Sequence, residues 1–351
     1  MLGIDRRAAR CTWTAAMVLL LLWLVYVVRT TLFVFVLAVL FAYLLAPLVN
    51  LLDRFLPGRT RTPALALAYV IFVGAVALGV GQIGARVVDQ ANRLAKDLPA
   101  RIEAWKAPPS GAPGVFDKYK TQLIEKAQAE ISQRSSDLLA ALAQAGLKVL
   151  AVASGLIYAV IIPVLAFFFL KDGRLIRQRI LGAVGEGPRG ALLEDVLADL
   201  NALLAHYMRA LVALSLATFT AYAVFFTILG MPYGVLLATL AGMLEVIPML
   251  GPVTACVIVF LVALISGAHP WATLIFLVLY RMFQDYFLSP HVMGRGVELH
   301  PLLVMFGVYA GAEVGGVAGM VLSVPLLALA RILFLRIRKA RQGAVPGPEA
   351  A

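Results

Sequence analysis

The sequence predicts an all-α polytopic membrane protein, with about eight apolar segments including two re-entrant helical hairpins, and an extracytoplasmic amphipathic helical pair. Three observations support this class. Of the 351 residues, 62% are hydrophobic and 14% are charged, whereas soluble domains are about half apolar and a quarter charged. The apolar residues form long runs without the alternation of a β-barrel. The basic residues cluster beside these runs, as they do in the cytoplasmic loops of membrane proteins.

The charge and the motifs restrict the function. The net charge of +11 lies next to apolar runs, which predicts contact with a lipid bilayer and argues against a nucleic-acid partner. The sequence has no P-loop and no GxSxG motif, so we predict neither ATP-driven pumping nor an enzyme. Cys11 and Cys256 have no disulfide or metal spacing, and the histidines lack zinc-ligand spacing, so no metal or cofactor is expected.

Residues 1–86 are predicted to form three spans. The basic head at residues 1–10 is placed in the cytoplasm, as is the basic loop at residues 53–62. A tight connection at residues 29–31 separates the first two spans. The three spans are predicted at residues 13–28, 32–52 and 64–83.

Residues 87–146 are predicted to form an extracytoplasmic helical insertion. Apolar side chains recur every three or four residues from Val87 to Trp105, so the third span continues as an amphipathic helix outside the membrane. After a turn at residues 107–114, a second amphipathic helix at 116–144 should pair antiparallel with the first. Each helix has little apolar surface, so its apolar face should meet its partner or another subunit.

Residues 147–342 are predicted to form the transmembrane core. The fourth span is at residues 147–170, with a kink at Pro163, and a basic cytoplasmic segment follows it. An apolar stripe over residues 188–207 predicts a helix at the cytoplasmic membrane surface. The fifth span follows at residues 210–229.

The stretch GMLEVIPMLGP is the centre of this core, because it places two prolines within apolar sequence. Pro248 and Pro252 each remove a backbone donor, which would free the carbonyls of Leu244 and Pro248. An unpaired carbonyl in lipid costs several kcal/mol unless protein, water or an ion meets it. We therefore predict a helical hairpin at residues 235–267, with its tip at residues 249–252, turned back inside the protein.

The sixth span is predicted at residues 271–288, followed by a cytoplasmic loop. The apolar stretch at residues 302–335 has basic or cytoplasmic sequence at both ends, so it must cross an even number of times. Its glycine-rich centre is therefore predicted to be the tip of a second hairpin, entering from the cytoplasm opposite to the first, and two full crossings are the alternative. The tail at residues 343–351 is predicted to be disordered, and both termini are cytoplasmic.

Three segments together resemble the autoinducer-2 exporter family, also described as PerM-like permeases. They are LEVIPMLGP, QDYFLSPHVMGRGVELHPLLVM and YAGAEVGGVAGMVLSVPLLALARIL. The likeness covers most of the chain and is strongest over residues 174–335. The resemblance implies a homo-oligomer in the inner (plasma) membrane with an extracytoplasmic helical insertion. It also implies export of a small polar signal molecule by some members and sodium(lithium)/proton exchange by others.

Ionisable and helix-breaking residues within apolar sequence are the candidate substrate- or ion-binding residues. They are Glu245, Pro248, Gly251, Pro252, Arg281, Gln284, Asp285 and Glu313. Glu245 lies one turn before the Pro248 break, near the carbonyls that the prolines free. A carboxylate there suits an ion or a polar solute, but it would also serve as a structural cap or pair inside the hairpin.

The other polar candidates each have two interpretations. Arg281 and Asp285 are four residues apart, so they form a structural ion pair, or Asp285 meets a cation or proton while Arg281 holds a polar substrate. Gln284 beside them offers a donor and an acceptor. If the two hairpins meet, Glu245 and Glu313 could share a proton; otherwise Glu313 simply faces water.

A second group of residues forms the structural motif of the C-terminal part. These residues are Pro290, Gly294, His300, Pro301, Gly311, Gly315, Gly316 and Gly319. The pair His300-Pro301 is expected to start a helix. The glycines permit close helix packing, or the approach of backbone to a ligand.

We therefore predict a secondary transporter that moves a small polar solute outward, with the proton or sodium gradient as its energy source. A sodium(lithium)/proton antiporter that uses the same carboxylates is the first alternative. The others are a non-transporting membrane scaffold, whose helical pair binds an envelope partner, and a passive channel.

Overall fold

The computed structural model describes residues 6–56, 61–106, 156–293 and 299–343, and every regular element in these ranges is helical. The helices are α1 (Arg6–Val27), α2 (Arg29–Phe55), α3 (Thr62–Gly79), α4 (Ala85–Lys106), α5 (Leu156–Val184), α6 (Pro188–Ile228), α7 (Gly234–Leu244), α8 (Leu250–Ser266), α9 (Pro270–Phe283), α10 (Ser289–Met293) and α11 (Pro301–Gly343). Two π-helical segments, Val80–Gly84 and Gln284–Leu288, join α3 to α4 and α9 to α10. The predicted helix at residues 116–144 lies outside the described residues, as do Gly294 and the end of the tail.

The described helices belong to two compact units. The first unit takes its residues from Met1–Pro47, Val160–Leu204 and Leu299–Ala351. The second takes them from Leu48–Ala159 and Ala205–Glu298. The hairpin formed by α7 and α8 lies in the second unit, and α11 lies in the first.

The predicted tight connection between the first two spans lies at Val28 rather than at residues 29–31. Helix α1 ends at Val27 and α2 begins at Arg29. The Val28 amide donates to the Leu24 carbonyl and the Leu32 amide donates to the Val28 carbonyl, both at 3.0 Å, which is the helical pattern. No glycine or proline lies within residues 4–46, and over the described residues of this stretch the helix is interrupted only at Val28.

The predicted continuation of the third span as an amphipathic helix is seen, because helical structure runs from Thr62 to Lys106 through the first π-helical segment. Its placement outside the membrane stays a prediction. Helix α4 contacts the α7–α8 hairpin, and Leu94 is buried with hairpin residues. The predicted pairing of α4 with residues 116–144 stays a prediction, because those residues lie outside the described ranges.

Polar side chains of α4 satisfy both ends of this hairpin. Gln90 Oε1 accepts a 2.9 Å bond from the Leu236 amide in the first turn of α7. Arg101 Nη1 donates to the Ser266 carbonyl at the end of α8, at 3.1 Å. The first amides and the last carbonyls of a helix have no intrahelical hydrogen-bond partners. The side chains of α4 therefore provide partners for backbone groups at the two ends of the hairpin. Tyr233, just before α7, also donates to Asp97 at 2.7 Å.

The predicted surface helix at 188–207 and the predicted fifth span at 210–229 form one continuous helix, α6. Residues 191–228 contain neither glycine nor proline, so no break separates the two parts. The position of its first half at a membrane surface stays a prediction.

The core of the second unit lies between α6, α7, α8 and α9. Its buried members include Tyr222 and Phe226 of α6, Leu237 of α7, Val259 of α8 and Leu277 of α9. Aromatic rings join α6 to α9: Phe225 stacks on Phe276 with centroids 3.9 Å apart. Tyr222 meets Tyr280 edge to face at 5.4 Å. These contacts hold α9 against α6 and the hairpin.

In the first unit, α11 folds back on itself at Gly315 and Gly316. Their backbone angles are not helical, and Gly316 has a φ of 58°, which favours glycine. A Cβ at Gly311 would collide with the Gly319 carbonyl, and a Cβ at Gly319 with the Gly311 carbonyl. The two halves of α11 therefore pack backbone against backbone, with the tip at the glycine pair. The ring of Phe33 from α2 lies against Gly315.

Polar contacts also stabilise the first unit. Arg336, near the end of α11, binds two carboxylates of α6, Asp195 and Asp199, each at 2.7 Å. Tyr43 of α2 donates to Asn201 of α6 at 2.9 Å. These contacts place the end of α11 and the middle of α2 against the first half of α6.

Five of the described helical segments are long and apolar enough to span a membrane. They are Arg10–Val27, Arg29–Phe55, Thr62–Asp97, Pro188–Ile228 and Pro301–Lys339. Many large apolar side chains on them are exposed, including nearly every one from Trp13 to Val27. Such a surface needs an apolar medium, so the chain is a multi-pass membrane protein.

Candidate functional site

The candidate site begins at the turn between α7 and α8. Helix α7 ends at Leu244 and α8 begins at Leu250, so the turn is at residues 245–249 rather than the predicted tip at 249–252. Pro252 lies in the first turn of α8, where an amide needs no intrahelical acceptor and proline is tolerated. Met249 has a φ of 61° and reverses the chain.

The carbonyls that the two prolines were expected to free are bonded within the turn. The Leu244 carbonyl accepts from the Ile247 amide at 2.9 Å, and the Pro248 carbonyl accepts from the Leu250 amide at 2.7 Å. The tight turn therefore satisfies them locally, so that protein amides, rather than water or an ion, meet these carbonyls. The Glu245 side chain is the polar group that the turn presents.

Helix α7 lies close to α6 because glycines face it. A methyl group at Gly242 would lie 3.0 Å from Phe219 Cβ and 3.0 Å from the Ser215 carbonyl oxygen. One at Gly234 would lie 2.8 Å from Phe226 Cβ. Small residues at such positions let two helices approach closely. This approach brings Glu245, three residues after Gly242, within reach of α6.

Glu245 is buried and bonded to two other helical segments. Its Oε2 accepts a hydrogen bond from Thr218 Oγ1 of α6, at 3.2 Å. Its Oε1 accepts from Gln284 Nε2, at 2.5 Å. The Thr218 hydroxyl also lies 3.0 Å from the Tyr280 hydroxyl of α9. These four side chains, which we call the Glu245 cluster, are each at most 8% exposed.

Gln284 begins the second π-helical segment, Gln284–Leu288. Pro290 lies two residues after this segment. In a regular α-helix, the ring of a proline clashes with the carbonyl four residues earlier. The wider π turn gives that carbonyl room, and the Ser289 amide bonds the Gln284 carbonyl instead. Single π turns within helices are frequent at functional sites.

Arg281 and Asp285 form the predicted ion pair. Arg281 Nε donates to Asp285 Oδ2 at 2.9 Å, and Nη2 donates to Oδ1 at 2.7 Å. The pair flanks Gln284, whose side chain donates to Glu245. Arg281 Nη1 is buried and has no hydrogen-bond partner among the described residues. Two nitrogens of the guanidinium group therefore bind Asp285, and the third, Nη1, can still donate to another acceptor.

Tyr222 and Cys256 lie next to the Glu245 cluster. The Tyr222 hydroxyl lies 3.7 Å from Cys256 Sγ of α8, and the Tyr222 ring packs on both Phe276 and Tyr280. The cluster is therefore a small polar group enclosed by apolar and aromatic side chains. In such surroundings, hydrogen bonds to a charged group are strong and an unpaired charge is costly.

The structure brings some predicted residues together and leaves others apart. Glu245 and Gln284 are bonded, and Gly251 and Pro252 are buried at the start of α8. Glu313 is exposed and lies in the other unit, so its approach to Glu245 stays a prediction. In the first unit α11 begins at Pro301, and His300 Nδ1 accepts from the Leu302 amide at 3.3 Å.

Sequence reasoning missed Thr218 and Tyr280. Tyr280 is four residues before Gln284, so the two share a helix face, and this spacing was a usable signal. Thr218 gives no such signal. The neighbouring Thr220 and Thr227 bond the carbonyl four residues earlier, whereas Thr218 is bonded to Glu245, and only the packing of α6 on the hairpin makes the difference.

We expect Gly251→Ala to lower the stability of the purified protein by about 1–3 kcal/mol. A Cβ at Gly251 would collide with the Leu244 carbonyl and press on Ile247 Cβ, so the turn that positions Glu245 must open. Thermal unfolding in detergent measures the effect. The control is Gly74→Ala in the same unit, where the added methyl has no described atom within 4 Å. Equal melting temperatures for the two variants would contradict the close turn.

A family model and several known proteins match this chain over most of its length. A family model described as "AI-2E family transporter" matches residues 15–339. YrrI of Bacillus subtilis (strain 168), provisionally named a transport protein, is 25% identical over 322 residues, or 90% of this chain and 89% of its own. YueF of the same strain has the same kind of name and is 25% identical over 319 residues, 88% of this chain and 85% of its own.

A third relative is PerM of Escherichia coli (strain K12), provisionally named a permease. It is 26% identical over 309 residues, which is 83% of each chain. The range that the family model matches includes the whole Glu245 cluster. The resemblance drawn from the sequence motifs is thereby confirmed.

Proposed function

This chain belongs to the AI-2E transporter family, and from that premise we propose that it exports a small polar solute across the plasma membrane. The transport is secondary, driven by a proton or sodium gradient. The Glu245 cluster is the site at which the solute or the coupling ion binds.

The observation that carries this proposal is the position of Glu245. A carboxylate is buried at the break of an apolar hairpin and bonded to Gln284 and Thr218. Ionisable groups within membrane segments are costly, and they commonly mark ion or substrate pathways. Secondary transporters often build their sites from broken helices near the middle of the bilayer.

The arrangement in the membrane is part of the proposal. The α7–α8 hairpin and the folded α11 are re-entrant and enter from opposite faces, with both termini in the cytoplasm. The basic residues that follow the apolar part of α11 support the cytoplasmic side for the C-terminus. Lipid and further copies of the chain cover the exposed apolar helices.

A sodium(lithium)/proton antiporter is the second candidate, and the local charge balance favours it. With both carboxylates ionised, Glu245, Arg281 and Asp285 carry one net negative charge. Arg281 and Asp285 neutralise each other through two hydrogen bonds. The remaining charge on Glu245 can be met by one proton or one cation, and two ions that compete for one charge are what exchange requires.

The test is a proteoliposome assay with the purified chain and an interior pH dye. Sodium, lithium, potassium and then candidate polar solutes are added in turn, with protein-free liposomes as the control. We expect a pH change that depends on the protein. A change with a solute but none with cations supports the exporter, and a change with sodium or lithium alone supports the antiporter. Solute movement that is independent of any ion gradient would refute coupled transport and indicate a passive channel.

A further inference from the structure

The Glu245 cluster contains a chain of hydroxyl groups whose hydrogens can be counted. The Thr218 hydroxyl lies between Glu245 Oε2, at 3.2 Å, and the Tyr280 hydroxyl, at 3.0 Å. Each hydroxyl has a single hydrogen and so donates only once. The direction of one hydrogen bond therefore fixes the direction of the other.

An ionised Glu245 fixes the chain in one direction. A carboxylate only accepts, so Thr218 must donate its hydrogen to Oε2. Thr218 then has no hydrogen left for Tyr280, and Tyr280 must donate to Thr218. The phenol oxygen is left with lone pairs on its far side.

One proton bound at Oε2 permits the opposite direction. Protonated Glu245 donates to Thr218, Thr218 donates to Tyr280, and the Tyr280 hydrogen is free for an outside acceptor. Gln284 donates to Oε1 in both states, so the carboxyl group stays in place while Oε2 gains or loses its proton. No covalent bond other than this O–H bond changes.

The other charged and titratable groups near Glu245 do not form part of this hydroxyl chain. Arg281 and Asp285 are bonded to each other, and Tyr222 of α6 lies beside Cys256 of α8. Apart from Thr218, the Tyr280 hydroxyl has no hydrogen-bond partner within the described ranges. The hydrogen-bonding capacity on the other side of the phenol oxygen is therefore not used by any described residue.

We infer that Thr218 and Tyr280 form a hydrogen-bond relay that turns the protonation state of Glu245 into a choice of ligand chemistry at Tyr280. With Glu245 ionised, the phenol oxygen accepts, which suits a cation or a ligand hydroxyl. With Glu245 protonated, the phenol donates, which suits a ligand carbonyl or other acceptor. The relay rests on the proposed function, because it matters only if Glu245 exchanges a proton during transport.

The test is pH-difference infrared spectroscopy of the full chain in lipid. Protonation of Glu245 should add a carboxyl C=O band that Glu245→Gln lacks. A shift in the tyrosine C–O band should accompany it and be lost in Tyr280→Phe. In Thr218→Val, which keeps the side-chain shape, the carboxyl band should remain and the tyrosine shift should disappear. Thr218→Ser, which keeps the hydroxyl, should retain both.

A tyrosine shift that persists in Thr218→Val would overturn the relay. So would a wild-type chain in which the carboxyl band appears without any tyrosine shift, or in which no carboxyl band assigned to Glu245 appears. The spectra need no transport, so they separate the two proposals. Spectral changes as expected in a protein that moves nothing in proteoliposomes would refute the proposed function and leave the relay standing.

Discussion

Glu245→Gln should lower the rate of transport in proteoliposomes roughly ten- to a hundredfold, because hydrogen bonds to a charged group contribute about 1.5–3 kcal/mol. Glutamine keeps the shape of the side chain but carries no charge and takes up no proton. Two donors, Thr218 and Gln284, point at the two carboxylate oxygens. An amide can accept at its oxygen alone, so one donor then faces an NH₂ group. The measurement is the initial rate of the interior pH change at equal amounts of incorporated protein.

The matched control is Glu186→Gln, the same chemical change at an exposed residue in the turn between α5 and α6. We expect its rate to equal that of the wild type. A second comparison is Asp285→Asn, alone and combined with Glu245→Gln, since Asp285 binds Arg281 rather than Glu245. Unchanged transport in the double variant, with normal expression and a normal size-exclusion profile, would remove the Glu245 cluster from the mechanism.

Gly319→Val should destabilise the fold by at least about 3 kcal/mol, at the upper end of what overpacking usually costs. Even the first carbon of a side chain at Gly319 would collide with the Gly311 carbonyl of the other half of α11. Backbone cannot rotate aside as a side chain can, so the two halves must separate. Such a loss is a large part of the 5–15 kcal/mol that holds typical domains folded. The melting temperature and the monodisperse fraction in detergent report it.

The control for this variant is Gly173→Val in α5, in the same unit, where an added Cβ has no described atom within 4 Å. Valine costs little in a helix relative to glycine, so Gly173→Val should keep the wild-type melting temperature within a few degrees. If the two variants have the same melting temperature, the close approach of the halves of α11 is not a property of the folded protein.

Much of the fold could be predicted from the sequence, because long apolar runs have few structural solutions in lipid. The first hairpin follows from two prolines in apolar sequence, and the fold-back of α11 follows from the prediction that both ends of a long apolar run lie on the same side of the membrane. The connection between α1 and α2 is predicted at residues 29–31, whereas the two helices separate at Val28. A basic and hydroxyl-containing segment such as Arg29-Thr30-Thr31 resembles a turn in composition, yet these residues form the first turn of α2.

The candidate site was predicted in part. Glu245 stands out because a carboxylate among apolar residues must have a reason to be there, and Gln284 was included through its ionic neighbours. Its bond to Glu245 depends on how α9 and the π-helical segment lie against the turn, which spacing along the chain does not reveal. The sequence predicts that the prolines of the turn free two carbonyls, whereas in the structure each of these carbonyls accepts from an amide two or three residues later.

The sequence by itself determined the class of protein, the two breaks in the apolar segments and the buried carboxylate. These follow from composition and from covalent geometry, because proline has no amide hydrogen and a charge avoids lipid wherever it lies in the chain. Only the tertiary structure decided which side chains meet that carboxylate. Thr218, Tyr280 and Gln284 come from segments up to 66 residues apart, and they meet at Glu245 because Gly242 lets α7 approach α6. Contacts of this kind depend on packing at the scale of a methyl group, which no local pattern encodes.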